Sequence, residues 1–333
     1  MHGIQFPSRH GRPAISELET MTPERLKRFQ QLMVAQLSVS RNREAGSLSM
    51  GRALHVLVAD DEDLIRDLFC EALRESQLPL RLSTTDNGRD CLTLLNGGNV
   101  DIAFIDVHMP ELSGMEAIWV ARRQGIGTFI TLISGTASPE VFKLAQKLNA
   151  YEFLLKPFAV DDVLAILNNY TRIAAPIKVL IVDDSSTTRS VALKVMQQSM
   201  FSCETVEAGD AAAAFEHCRQ KPFDTVLLDC NMPQIDGLTA LRQLRAIQPG
   251  LKVIMISAER NADKEREARE AGAHGFLYKP FYAENVDRML HAVHRLRLPT
   301  LDARARASRF GNKSVGQLRD RPSIADALSQ VVL

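Results

Sequence analysis

Four kinds of reactive residue recur in the same order along this chain. A pair of aspartates stands at Asp60-Asp61 and again at Asp183-Asp184. A further aspartate follows at Asp106 and at Asp229, then a serine at Ser134 and Ser257, then a Lys-Pro dipeptide at Lys156-Pro157 and Lys279-Pro280. Each feature alone has an ordinary explanation. An Asp before a helix is commonly an N-cap, a Ser after a strand is a turn residue, and Lys-Pro marks a strand-to-helix boundary. As a set they suit a different chemistry. Crowded carboxylates repel one another, which raises a pKa or demands a cation, and a hard divalent ion such as Mg²⁺ meets that demand with oxygen ligands. A lysine adds fixed positive charge and a hydroxyl adds a hydrogen bond. Together these are the parts phosphoryl transfer needs: a carboxylate nucleophile, a metal, a cation and a positioned donor.

Such groups do chemistry only if the fold brings them to one place. The spacing says how. Asp61 to Asp184, Asp106 to Asp229, Ser134 to Ser257 and Lys156 to Lys279 all keep one offset of 123 residues. The chain therefore repeats a unit of about 120 residues, a domain rather than a solenoid repeat. Within each copy, short runs rich in Val, Ile and Leu alternate with amphipathic stretches. The runs lie near 54–59, 80–83, 101–105, 129–133 and 150–155, then near 177–182, 203–206, 224–228, 252–256 and 274–278. They suit strands buried on both faces. In 185–199, Val191, Val195 and Met196 recur at helical spacing, leaving Arg189 and Lys194 to face water. Five strands alternating with five helices imply an α/β fold with a doubly wound parallel sheet, twice over. In that architecture ligands bind at the carboxyl ends of the strands, where all four features fall.

Bulk properties narrow the classes. The chain has 333 residues, 45% of them hydrophobic, and a formal net charge of zero. That charge is uneven: residues 1–52 carry +4, residues 295–333 carry +5, and the middle carries −9. No apolar run is long enough to span a membrane, and the N-terminus lacks the apolar core of a secretory signal. Five scattered cysteines without a CxxC pair argue against a disulfide framework or a zinc site. A cytoplasmic location without membrane insertion is the expectation.

Both copies resemble bacterial receiver domains of the response-regulator family, over about 53–172 and 176–296. The resemblance implies two tandem flavodoxin-like, five-stranded receiver folds. It implies Asp106 and Asp229 as phospho-acceptors, supplied by a histidine kinase or phosphotransfer protein. Asp61 and Asp184 would bind Mg²⁺ directly, and Asp60 and Asp183 through water. The backbone carbonyls of His108 and Asn231 would complete the metal site. Ser134 and Ser257 would hydrogen-bond the phosphoryl group, and Lys156 and Lys279 would pair with it. Phe153 and Phe276 fall at the family's aromatic switch position. Serine stands where threonine is more frequent, followed by the small Gly135 and Ala258. Both acceptor loops keep Met-Pro and a Gly, Met109-Pro110 with Gly114 and Met232-Pro233 with Gly237, where Gly is expected to allow positive φ.

The copies differ beside the acceptor. His108 and Thr136 in the first correspond to Asn231 and Glu259 in the second, the latter pair resembling the chemotaxis receiver, so different phosphate lifetimes are expected. Flanking segments complete the expected layout: an N-terminal extension over 1–52 and a basic, mostly disordered tail over 297–333. The extension holds an amphipathic helix near 22–37, with Leu26, Phe29, Met33 and Leu37 on one side. A short helix near 323–332 is expected in the tail. After residue 296 too little chain remains for a usual output domain. Protein–protein signalling to a downstream target is therefore expected, without metabolic enzyme activity, and a second copy of the chain is a candidate partner. The alternatives are a phosphorelay intermediate or phosphate sink, and a nucleic-acid-binding regulator acting through the basic tails. Nucleic acid is the least favoured partner, since no recognition-helix pattern accompanies the basic stretches.

Overall fold

Leu54–Ala59 (β1), Ile102–Asp106 (β3) and Phe129–Ser134 (β4) are buried along their whole length, as strands covered on both faces must be. With Leu80–Thr85 (β2) and Glu152–Leu155 (β5) they form a five-stranded parallel sheet in the order β2-β1-β3-β4-β5. The helices Asp63–Glu75 (α1), Gly88–Asn96 (α2), Gly114–Arg123 (α3), Pro139–Lys147 (α4) and Val160–Ala174 (α5) connect and follow these strands. The computed structural model describes residues 52–136 and 138–302. The expected helices near 22–37 and 323–332 lie outside the described residues.

The second half repeats the plan. Ile177–Val182 (β6), Cys203–Ala208 (β7), Thr225–Asp229 (β8), Lys252–Ser257 (β9) and Gly275–Tyr278 (β10) form a parallel sheet in the order β10-β9-β8-β6-β7. Its helices are Ser186–Gln198 (α6), Ala211–Gln220 (α7), Gly237–Ile247 (α8), Ala262–Glu270 (α9) and Ala283–Val293 (α10). By packing, residues 52–166 with 299–302 form one compact unit and residues 167–298 another. Among the described residues no helix is long and apolar enough to cross a membrane.

Helix starts are set by local chemistry. Ser113 accepts from the Glu116 backbone N–H while Glu116 reaches back to Ser113, a capping box that opens α3 one residue before Gly114. Asp236 caps α8 at the equivalent place. Two sequence expectations need correction in α6. Val191 is exposed and Ala192 faces inward with Val195 and Met196, because the buried stripe runs through 192, 195 and 196. Arg189 does not simply face water: its guanidinium donates to the Asp183 and Asp184 carbonyls and pairs with Glu207.

Candidate phospho-acceptor sites

Register alone gathers the functional residues. Asp106 lies opposite Ile133 and Ser134 opposite Leu155 in the first sheet; Asp229 lies opposite Ile256 and Ser257 opposite Tyr278 in the second. The acidic pair, the acceptor, the serine and the lysine therefore all stand at one carboxyl edge. That edge includes the switch in strand order, where β1 has β2 on one side and β3 on the other, the place where open α/β sheets bind ligands.

In the first unit Lys156 reaches across this edge. Its Nζ lies 2.9 Å from Asp60 Oδ2, 3.0 Å from Asp106 Oδ1 and 2.7 Å from Glu62 Oε1. The His108 backbone N–H donates to the other acceptor oxygen, Asp106 Oδ2, at 2.6 Å. Ser134 Oγ accepts from the Thr136 N–H at 3.2 Å. Burial pushes Asp60 up to about 6 against the pull of Lys156, and burial likewise raises Asp106. Burial alone would lower Lys156, but Glu62, Asp106 and Asp60 together hold it above the ordinary lysine value.

The second unit builds the same core with fewer parts. Lys279 Nζ lies 2.7 Å from both Asp183 Oδ2 and Asp229 Oδ1. The Asn231 N–H donates to Asp229 Oδ2 at 2.9 Å. Ser257 Oγ donates to the Glu259 carbonyl and accepts from its N–H, both at 3.1 Å. Glu259 itself pairs with Lys264. The residue matching Glu62 is Ser185, which caps α6 and does not join the lysine. Cys230, next to the acceptor, is pushed up to about 11 by burial, so it stands as a neutral thiol.

Asp61 and Asp184 are exposed at the same edge. Among the described residues no three acidic, histidine or cysteine side chains converge closely enough to hold a metal ion as they stand. The donor set nevertheless fits a hard cation. Asp60 is fully buried, and its Oδ2 lies within ion-pair distance of Lys156 yet has no hydrogen-bond donor. A buried carboxylate with an unsatisfied oxygen and a raised pKa is stabilised by added positive charge.

Four features were not foreseen from the sequence. Glu62 joins Lys156. Arg66, which matches Arg189 at the same offset, braces the acidic loop by donating to the Asp60 carbonyl, as Arg189 does to that of Asp183. The glycine after each acceptor loop does not adopt positive φ. That conformation falls on Glu111 (φ 64) and Gln234 (φ 67), and glycine is needed for close approach instead. A Cβ on Gly114 would stand 1.9 Å from the Asp106 carbonyl oxygen, and one on Gly237 would stand 2.3 Å from that of Asp229. Finally, both aromatic switch positions are already buried. Phe153 packs on Phe142 with ring centroids 4.6 Å apart, and Phe276 on Tyr278 at 5.2 Å.

The family model described as "Response regulator receiver domain" matches residues 56–168 and again 179–293. Chemotaxis protein CheY-3 of Vibrio cholerae is 36% identical over 118 residues, 35% of this chain and 90% of that protein. Chemotaxis protein CheY of Bacillus subtilis is 34% identical over 118 residues, 35% of this chain and 95% of that protein. A solved structure described as a putative two-component system response regulator/GGDEF domain protein covers 72% of this chain and 99% of its own, with a TM-score of 0.53 and 24% identity. That last likeness speaks to the fold.

Proposed function

The chain belongs to the response regulator receiver family and is a two-component response regulator, and we propose that Asp106 and Asp229 each accept a phosphoryl group from a phosphohistidine. The donor would be a histidine kinase or a phosphotransfer protein. In the transfer a carboxylate oxygen attacks phosphorus, and the P–N bond breaks with its electron pair going to the imidazole nitrogen. The product is an acyl phosphate, and attack by water returns the carboxylate and inorganic phosphate. Each receiver, over 53–172 and 176–296, would be one such switch.

The observation that carries this reading is the doubled pair of acceptor and lysine: Lys156 at 3.0 Å from Asp106 and Lys279 at 2.7 Å from Asp229. Each acceptor oxygen is already oriented, one by the lysine and one by a backbone N–H. The lysines and the hydroxyls of Ser134 and Ser257, at the same carboxyl edge, would meet the new phosphoryl oxygens. Mg²⁺, when bound, would offset charge on the phosphoryl oxygens. Asp60, Asp61, Asp106 and the His108 carbonyl would hold it in the first receiver, and Asp183, Asp184, Asp229 and the Asn231 carbonyl in the second. The phosphoryl group would draw the serine and lysine together and repack the strand carrying Phe153 or Phe276, a two-state element biased by local charge. Output would pass to a downstream protein in the cytoplasm. His108 and Thr136 against Asn231 and Glu259 would give the two phosphates different lifetimes.

Metal removal tests the proposal. The full chain incubated with acetyl phosphate and Mg²⁺ should shift on Phos-tag gels, and EDTA should abolish the shift. A shift that persists in EDTA and in Asp106→Ala/Asp229→Ala would place the modification elsewhere.

A further inference from the structure

Residues 299–302, which follow the second receiver in sequence, belong to the compact unit of the first. They form a tight turn closed by the Asp302 N–H on the Pro299 carbonyl at 2.9 Å. Hydrogen bonds seat the turn on the α4–β5 face. The Thr300 N–H donates to Glu152 Oε1 on β5 at 2.6 Å, and Gln146 Nε2 on α4 donates to the Leu301 carbonyl at 2.6 Å. Thr300 is 1% exposed and Leu301 4%. The Leu301 side chain lies in the same apolar cluster as Phe142, Ala145, Leu148 and Phe153.

The anchors are particular to the first receiver. At the offset of 123, Glu152 corresponds to Gly275, which has no side chain to accept a hydrogen bond. Gln146 corresponds to Arg269, which is paired with Glu265. The second receiver therefore has no matching seat. The contact is small, and ordering residues 299–302 costs backbone and side-chain entropy, so a change in the cluster beneath can shift its balance.

The acceptor site acts on what lies beneath. The Lys156 N–H donates to the Ser134 carbonyl at 2.8 Å, so the two groups that would meet a phosphoryl on Asp106 are joined through the ends of β4 and β5. Three residues before Lys156, Phe153 packs at a tilt against Phe142 in the cluster that holds Leu301. We propose that residues 299–302 are an intramolecular clasp on the α4–β5 face of the first receiver, docked while Asp106 is a free carboxylate and released when it is phosphorylated. Release exposes Glu152, Gln146 and the edge of the apolar cluster to a protein partner. By linkage, loosening the clasp favours the phosphorylated state in equal measure. The release step rests on the phospho-acceptor reading; the docked clasp does not.

Hydrogen-exchange mass spectrometry on the full chain, with intact mass recorded on the same samples, tests both halves. Without phosphodonor, a peptide spanning Thr300 should be protected, and Thr300→Pro and Gln146→Ala should each lose that protection. With acetyl phosphate and Mg²⁺, its exchange should rise severalfold in wild type and in Asp229→Ala, and stay unchanged in Asp106→Ala. An unprotected Thr300 peptide in the unphosphorylated wild type overturns the clasp. Unchanged protection in a sample whose intact mass carries a phosphoryl group on Asp106 overturns its release. Intact mass without any phosphoryl uptake marks failure of the acceptor reading, and with it of phosphorylation-driven release, while the protection data still decide the clasp.

Discussion

Lys156 and Lys279 close equivalent carboxylates in different ways. Lys156 is held by three acids and its side chain is 9% exposed, whereas Lys279 is held by two and is 24% exposed. The faces beyond them differ as well. In the first receiver α4 contributes Phe142 and Ala145 to the core and carries residues 299–302; in the second, α9 buries only Ala268 and is otherwise a run of charge. The shared parts are those the acceptor chemistry requires. On the proposed chemistry, the parts that differ would set how readily the lysine turns to a new anion and what the responding face already holds. Two copies of one site can thus be tuned separately without touching the acceptor.

The constraint both copies share should show the largest effect, and unequally. Gly114→Ala and Gly237→Ala would drive a Cβ into the acceptor's own backbone carbonyl. Overpacking of this kind costs about 1–3 kcal/mol, with Gly114→Ala toward the upper end because its clash is closer. Urea unfolding followed by circular dichroism checks both, and Trp119, the chain's single tryptophan, reports the first receiver by fluorescence. Unfolding curves that match wild type would remove close approach as the reason for glycine.

A smaller effect goes to the heart of the difference. Glu62→Gln should free Lys156 of its third acid and speed phosphoryl uptake at Asp106. The Glu62 side chain is 51% exposed, so the pair is worth only ~0.5–1 kcal/mol, or roughly a two- to fivefold rate change. Ser185→Glu should slow uptake at Asp229 by a similar factor. Initial rates measured in the Asp229→Ala and Asp106→Ala backgrounds separate the two sites. If neither exchange moves its rate, Glu62 is a bystander and the comparison loses its main element.

The smallest effect concerns stability. Burial pushes His274 and His294 of the second receiver below the ordinary imidazole value of 6.5. His274 Nδ1 accepts from the Val253 N–H, and His294 Nε2 meets Thr225 Oγ1 at 3.0 Å. The folded state therefore binds fewer protons than the unfolded chain. The stability these rings contribute is complete above the unfolded pKa and is lost as pH falls toward the folded one. Acidification from about pH 7 to about pH 5 should lower the melting transition of the second receiver, and His274→Gln/His294→Gln should flatten the response. An unflattened slope would assign the acid sensitivity to other groups.

How much of this was legible beforehand follows from where the information sits. Strands buried on both faces announce themselves as apolar runs, so β1 and β6 have the bounds the sequence gives, and the other eight differ by one or two residues at their ends. The acidic pair, acceptor, serine and lysine were visible because each terminates such a run. Glu62 was not, because its bond to Lys156 spans 94 residues and depends on where two loops meet in space. The role of Gly114 was misread for a related reason: sequence suggests a turn, while the need comes from the neighbouring carbonyl of Asp106. The α6 stripe misled at Val191 because periodicity admits either 191 or 192, and only packing chooses. Leu301 stands among arginines and reads as tail until the α4–β5 face is present to receive it.

The central claim is that both carboxylates are working acceptors. Intact-mass spectrometry of the full chain after acetyl phosphate and Mg²⁺ tests it most directly, on wild type, Asp106→Ala, Asp229→Ala and the double variant. If both are, wild type gains up to two phosphoryl groups, each single variant one and the double none. A wild type that never exceeds one group, with all of it lost in a single variant, would contradict it and leave the other receiver as a scaffold.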